Sequence, residues 1–142
     1  IPARDAIASG SIKRSNYYPN CSYMTNWVNT EDSIKWEAEV AEAGKFEVII
    51  YYTCAKYAIG SEIELSFEGS KVSKKITKYY DPKEFGMEND RVERIESYVK
   101  DFIPLNMGTF DLRKGKGTLK LKALQKTGKE VLDFRLLMLN RI

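Results

Sequence analysis

Aromatic rings stand next to cations at three points of the chain: Arg14 beside Tyr17-Tyr18, Lys78 before Tyr79-Tyr80, and Arg91 and Arg94 ahead of Tyr98 and Lys100. A ring offers an apolar face, and a neighbouring guanidinium or ammonium offers donors to an anion. The run Asn20-Cys21-Ser22-Tyr23-Met24-Thr25-Asn26-Trp27 adds amides, hydroxyls, two aromatics and one of the two cysteines, with no clean apolar period. Other chemistry is poorly served. The sequence has no histidine, so it lacks the commonest general base, the commonest metal ligand and any Ser-His or Cys-His pair. Two cysteines without a histidine do not make a structural zinc site. No GxGxxG, phosphate-loop or HExxH pattern occurs. Asp90 and Glu96 are candidates for a carboxylate pair of a glycosidase or lyase, yet nothing in their spacing singles them out.

The elements that must hold these residues are strands. Ile34, Trp36, Ala38 and Val40 alternate with Lys35, Glu37 and Glu39, and Ala43-Gly44 turns the chain. Phe46, Val48, Ile50 and Tyr52 follow, with Glu47, Ile49, Tyr51 and Thr53 on the other face, a pattern apolar enough on both sides for a central strand. Ile63, Leu65 and Phe67 lead through Glu68-Gly69-Ser70, a hairpin turn, to Val72 and Ile76. Phe110 and Leu112 run into a Lys114–Gly117 turn and on to Leu119, Leu121 and Ala123. In the last strand, strict alternation puts Leu132, Phe134, Leu136 and Met138 on one face and Val131, Asp133, Arg135, Leu137 and Leu139 on the other. Residues 1–30 are irregular, with weak strands near Ile7 and Ile12, and 79–101 read as a long charged loop with one helical turn, then a strand. Short alternating strands between glycine turns predict an all-β antiparallel sandwich.

The 142 residues suit one domain, residues 1–142. A hydrophobic fraction of 43% and a charged fraction of 30% are those of a soluble globular protein. No apolar run is long enough for a transmembrane helix, so no membrane is expected, and no signal-peptide pattern opens the chain. It begins at Ile1 rather than Met, which reads as a mature protein or an excised module. Net charge is +3, too mild to imply nucleic acid, and the basic clusters read first as solvated surface.

Within this pattern, "EDSIKWEAEVAEAGKFEVIIYYT", "GSEIELSFEGSKV" and "LNMGTFDLRKGKGTLKLKAL" resemble the core signature of the family-6-like carbohydrate-binding modules. These are galactose-binding-like jelly rolls. "PARD", "IKRS", "PNCSYMTNW", "YYTC", "DRVERIESYVKDF" and "RLLML" are similar to the domain that follows the catalytic domain of many secreted bacterial polysaccharide sulfatases. The resemblance implies a non-catalytic module that binds an anionic, sulfated polysaccharide of algal galactan or fucan type. It implies a sulfatase catalytic domain in the parent chain and a place outside the bacterial cytoplasm: secreted, periplasmic or at the cell surface. The sulfatase nucleophile motif, Cys or Ser followed by x-Pro-x-Arg, is absent.

On that reading, stacking aromatics and Arg/Lys carry binding, with Arg14, Tyr23, Asn26, Trp27, Tyr51, Arg91, Arg94, Tyr98 and Lys100 as the expected ligand-binding residues. Each has a plainer alternative. Trp36 and Tyr52 sit on core registers; Trp27 suits site or core; Tyr51 shares its face with Ile49 and suits packing equally. Arg91 and Arg94 lie among acids that would pair with them, and Asp133 with Arg135 suits a structural ion pair. Cys21 and Cys54 suit a disulfide or two separate thiols. No cofactor is expected. Family-6-like modules often carry a structural calcium; Asp5 with a distant Asp133 supplies fewer than the six to eight oxygens, roughly, that the ion takes, so calcium stays an alternative rather than the expectation. The rival reading is a structural domain that packs on the sulfatase through Ile49, Tyr51, Leu137 and Leu139.

Overall fold

The computed structural model describes residues 6–14, 23–80 and 102–142. Ten strands carry the fold: β1 (Ile7–Ala8), β2 (Lys13–Arg14), β3 (Met24–Thr25), β4 (Ser33–Val40), β5 (Gly44–Thr53), β6 (Glu62–Phe67), β7 (Ser70–Lys75), β8 (Ile103–Leu112), β9 (Gly115–Gln125) and β10 (Asp133–Arg141). A 3₁₀ turn, Lys56–Ala58, follows β5. The strands form two five-stranded sheets, ordered β1-β4-β9-β6-β7 and β2-β3-β10-β5-β8. The paired strands run antiparallel, so the expected β-sandwich is what the chain forms. No described helix is long and apolar enough to cross a membrane.

Alternation decides what fills the space between the sheets. Ile34 and Trp36 of β4, Leu119 and Leu121 of β9, and Ile63, Leu65 and Phe67 of β6 point inward from the first sheet. Val48, Ile50 and Tyr52 of β5 meet them from the second, and Trp36 packs edge-on against Phe134 at 5.5 Å between ring centroids. The β6–β7 hairpin turns on Glu68 and Gly69, both with positive φ (43° and 92°). That is the backbone demand of a two-residue hairpin whose twist matches its strands.

The last strand departs from strict alternation. Phe134 pairs with Tyr52, but Leu136 pairs with Tyr51 and Leu137 with Ile50, leaving Arg135 as the extra residue of a β-bulge. Beyond the bulge the parity reverses. Phe134 shares the core with Leu137 and, further out, Leu139, while Leu136 and Met138 face away. The docking face expected from sequence is corrected accordingly: Leu137 and Leu139 are inside, and Ile49 and Tyr51 are accompanied outside by Leu136, Met138 and Pro104. A second bulge at Met107 shifts β8 against β5. β8 also starts earlier than its apolar signal, at Ile103, and β3 was not expected at all. The helical turn and strand expected within 79–101 lie outside the described residues from 81 on.

Candidate functional site

At the end of the sandwich where β5 finishes, hydrogen bonds tie four loop segments together. Cys54 exchanges backbone hydrogen bonds with Tyr80: Cys54 N donates to Tyr80 O at 2.9 Å and Tyr80 N to Cys54 O at 3.1 Å. The β5–β6 loop closes through Gly60, whose φ of 97° suits glycine, with Gly60 N donating to Ile76 O and Ile76 N to Ser61 O, both at 2.8 Å. Thr127, from the β9–β10 loop, anchors that loop. Its hydroxyl lies 2.8 Å from Tyr57 O and 3.1 Å from Ile59 O, and its N–H donates to Ser61 Oγ at 3.2 Å. Val131 N donates to Trp27 O at 2.8 Å, and Lys126 Nζ to Val28 O at 2.6 Å, which joins the β3–β4 loop.

Between these loops lies a polar pocket of about 100 Å³ lined by Thr53, Ala55, Tyr57, Glu130 and Asp133, with Cys54, Val131 and Leu132 at its base. Thr53 is buried and its Oγ1 has no hydrogen-bond partner. An unsatisfied buried hydroxyl costs about 1–3 kcal/mol, and a donor or acceptor entering the pocket would relieve it. Asp133 accepts a hydrogen bond from Thr25 Oγ1 at 2.7 Å, which orients its carboxylate. Tyr57 forms one wall and is 43% exposed. A Cβ built on Gly128 would fall 2.7 Å from Tyr57 Cγ, so the ring rests directly on the glycine backbone, and any larger residue would displace it. The result is a partly exposed ring packed against the glycine, beside two carboxylates and a hydroxyl without a hydrogen-bond partner. Tyr79, 48% exposed, stands on the adjoining segment just before Tyr80. Lys56, Lys78, Lys126 and Lys129 are exposed on the same loops.

Beneath the pocket the strand end is buried. Tyr52 donates its phenol proton to Lys78 O at 2.6 Å, and Cys54 Sγ reaches the same carbonyl at 3.8 Å. Burial, reinforced by the Cys54 thiol, pushes the Tyr52 phenol up to about 12. It therefore acts as a fixed donor that clamps the 78–80 segment to β5.

The residues expected from sequence are not gathered here. Trp27 is 1% exposed and belongs to the core, with Nε1 lacking a partner, so its ring offers no open face. Tyr23 is also buried, packed edge-on against Phe102 at 5.3 Å. Asn26 has a positive φ of 61°, and its Nδ2 donates to Ser11 O at 2.9 Å, a loop-holding role. Tyr51 is half-buried on the outer face of β5, opposite Leu136 and Pro104. Arg14 pairs with Met24 in β2. Arg91, Arg94, Tyr98 and Lys100 lie outside the described residues, as do Asp5 and Cys21, and with them the disulfide and calcium questions. Sequence reading passed over Tyr57, Glu130 and Thr53. The available signal was Tyr57 beside Lys56 in a loop, paired with a glycine 71 positions later that only the fold brings under it.

The two-sheet antiparallel β-sandwich is shared with solved structures, among them family 35 carbohydrate-binding modules. A family 35 carbohydrate-binding module from Clostridium thermocellum superimposes with a TM-score of 0.65 at 12% identity, over 99% of this chain and 95% of that one. The GH26-CBM35 β-(1,4)-mannanase of Podospora anserina gives 0.63 at 16% identity, over all of this chain and 27% of the enzyme. The mosquito-larvicidal Cry4Aa toxin of Bacillus thuringiensis gives 0.71 at 13% identity, over all of this chain and 23% of the toxin. At such identities the likeness is one of fold. The modules found are of family 35 rather than family 6, and none of these three is a sulfatase domain. No protein-family model and no curated protein matches the sequence.

Proposed function

We propose that this chain is a non-catalytic carbohydrate-binding module acting outside the cytoplasm, and that its sugar site is the loop-end pocket walled by Tyr57. The observation that carries this reading is the Tyr57 ring, packed at Gly128 and 43% exposed, beside the Thr53 hydroxyl and the Glu130 and Asp133 carboxylates. Rings of this kind stack on the apolar face of a pyranose, while carboxylates and hydroxyls take up its OH groups. The fold supports the reading because modules with this architecture fill nearly their whole length with it. The absence of histidine weighs against a catalytic role.

The ligand we propose is an anionic, sulfated polysaccharide, and the attached partner a sulfatase catalytic domain; both rest on the sequence resemblance. Two carboxylates in the pocket repel a sulfate, so the sulfate would sit at the rim, where Lys56, Lys78 and Lys129 are exposed. Affinity electrophoresis against neutral and sulfated glycans tests this. Retardation on a sulfated glycan, weakened by salt and abolished by Tyr57→Ala, is the expected result. Retardation on neutral glycans alone removes the sulfate, and none on any glycan removes the function.

A second reading, a structural domain packed on the catalytic domain, is favoured by one observation. The outer face of the second sheet carries Ile49, Tyr51, Leu136, Met138 and Pro104 in adjacent rows. If this reading holds, Met138→Lys weakens association with the catalytic domain and leaves glycan retardation unchanged.

A further inference from the structure

The opposite end of the sandwich holds a cavity that the sugar site does not use. It lies between the sheets, about 360 Å³ in volume, and is walled by Val40, Phe46, Phe67, Leu112, Leu119 and Leu139. It exists because the strands are thinly furnished there. Ala38 and Val40 of β4 pair with Gly117 and Gly115 of β9; a Cβ placed on Gly115 would meet nothing within 4 Å, whereas one on Gly117 would run into the Glu68 side chain. Arg141 closes one side. It lies 4.9 Å over the Phe46 ring and donates to Glu42 O at 2.7 Å and Ala43 O at 3.2 Å. An apolar cavity of about 150 Å³ takes a benzene, so this one has room for roughly two such groups. Its size is also within the range of small-molecule pockets, about 300–1,000 Å³.

A second feature adjoins it. An open cleft of about 630 Å³ shares Leu112 with the cavity and is lined by Lys45, Arg113 and Lys114, with Asp111 as its one acid. Among the described residues none of these three cations is in an ion pair. Glu39 and Glu42 also line the cavity, whereas the three cations line the adjoining cleft, so the two features differ in charge.

We propose that this end binds an amphipathic organic anion: an apolar chain or ring enters between Phe46, Phe67 and Leu119, and a carboxylate or sulfate head rests against Lys45, Arg113 and Lys114. β5 runs the length of the sandwich from Phe46, at this cavity, to Thr53, at the sugar pocket, so the two sites are independent and either can fail without the other.

The test is titration of the ¹⁵N-labelled chain with octanoate and octyl sulfate, against octanol and octyltrimethylammonium. Expected are saturable amide shifts confined to the Phe46, Leu112 and Leu119 region, with the uncharged and cationic probes at least about tenfold weaker, a step of ~1.4 kcal/mol. Octyl sulfate binding as well as octanoate identifies a general anion head; a preference for one names the head. The double change Arg113→Glu with Lys114→Glu, on exposed side chains, lowers octanoate affinity by a similar factor. Ala38→Phe fills the cavity and abolishes binding. Shifts scattered over the surface, equal binding of octyltrimethylammonium, or undiminished binding to Ala38→Phe each overturn the proposal. Should Ala38→Phe not fold, contacts between the octanoate methyl and the Phe67 or Leu119 protons in the unaltered chain decide, and their absence overturns it.

Discussion

Leu137→Ala separates the bulged last strand from the strictly alternating one. In the fold, Leu137 is 0% exposed and pairs with Ile50, whereas Met138, next along the chain, is 38% exposed and pairs with Ile49 on the outer face. Removing a leucine to alanine takes away three methylene equivalents, worth ~2.4 kcal/mol at ~0.8 kcal/mol each. The cavity left behind adds to this, and measured core Leu→Ala losses run about 2–5 kcal/mol. Leu137 is enclosed by both sheets, which cannot close on the gap, so we expect about 3–4 kcal/mol. At ~3 °C per kcal/mol for a chain of this size, the melting temperature falls by roughly 10 °C. Met138→Ala removes a side chain already in contact with water and costs less than about 1 kcal/mol. Urea melts of both variants at matched protein concentration give the comparison, with the slope m unchanged as the check that both unfold from the same state. Strict alternation demands the reverse order. If Met138→Ala or Leu136→Ala destabilises more than Leu137→Ala, there is no bulge at Arg135 and the core assignment of β10 is wrong.

Further expectations follow from single contacts. Gly10 has φ +67°, and a Cβ there would overlap the Asp32 carboxylate, which holds Ser11 N at 3.0 Å; Gly10→Ala should cost about 2–4 kcal/mol by strain plus the lost bond, against about 1 for Gly69→Ala, where φ is +92° and space is open. Chemical melts of the two side by side check the difference. Gly128→Val should displace Tyr57 and weaken glycan retention as Tyr57→Ala does; retention equal to the unaltered chain removes Tyr57 from the site. Tyr52, pushed up to about 12, stays protonated in the fold where an unfolded tyrosine ionises near 10. The unfolded chain therefore binds fewer protons between about pH 10 and 12, so stability falls as pH rises through that window. Ultraviolet titration should show a late-titrating component that Tyr52→Phe diminishes; an unchanged late component in that variant refutes the assignment.

Much of the fold was legible before any coordinates. Period-2 alternation is a local property, and Ile34 to Val40, Phe46 to Tyr52 and Ile63 to Phe67 became strands with the expected residues inward. The hairpin at Glu68-Gly69 was legible because its turn chemistry is equally local. Trp27 was not. Its neighbours are polar, and only the packing of the β3–β4 loop over the sandwich end, fastened by Val131 N to Trp27 O, puts its ring in the core. The burial of Tyr23 has the same cause, since the Phe102 that packs on it is 79 residues away.

Residue types and their alternation were enough to establish the all-β class, the strand faces up to Phe134 and the poverty of catalytic groups. They could not establish parity beyond Arg135, because a bulge depends on how two strands are held against a third layer. Nor could they find the candidate site. Tyr57 becomes a platform through Gly128, and Thr53 meets Glu130 and Asp133, across separations in sequence that only the closed sandwich brings within a few ångströms. Local pattern follows from the side chains of neighbours; a pocket is made by the meeting of residues that have no pattern in common.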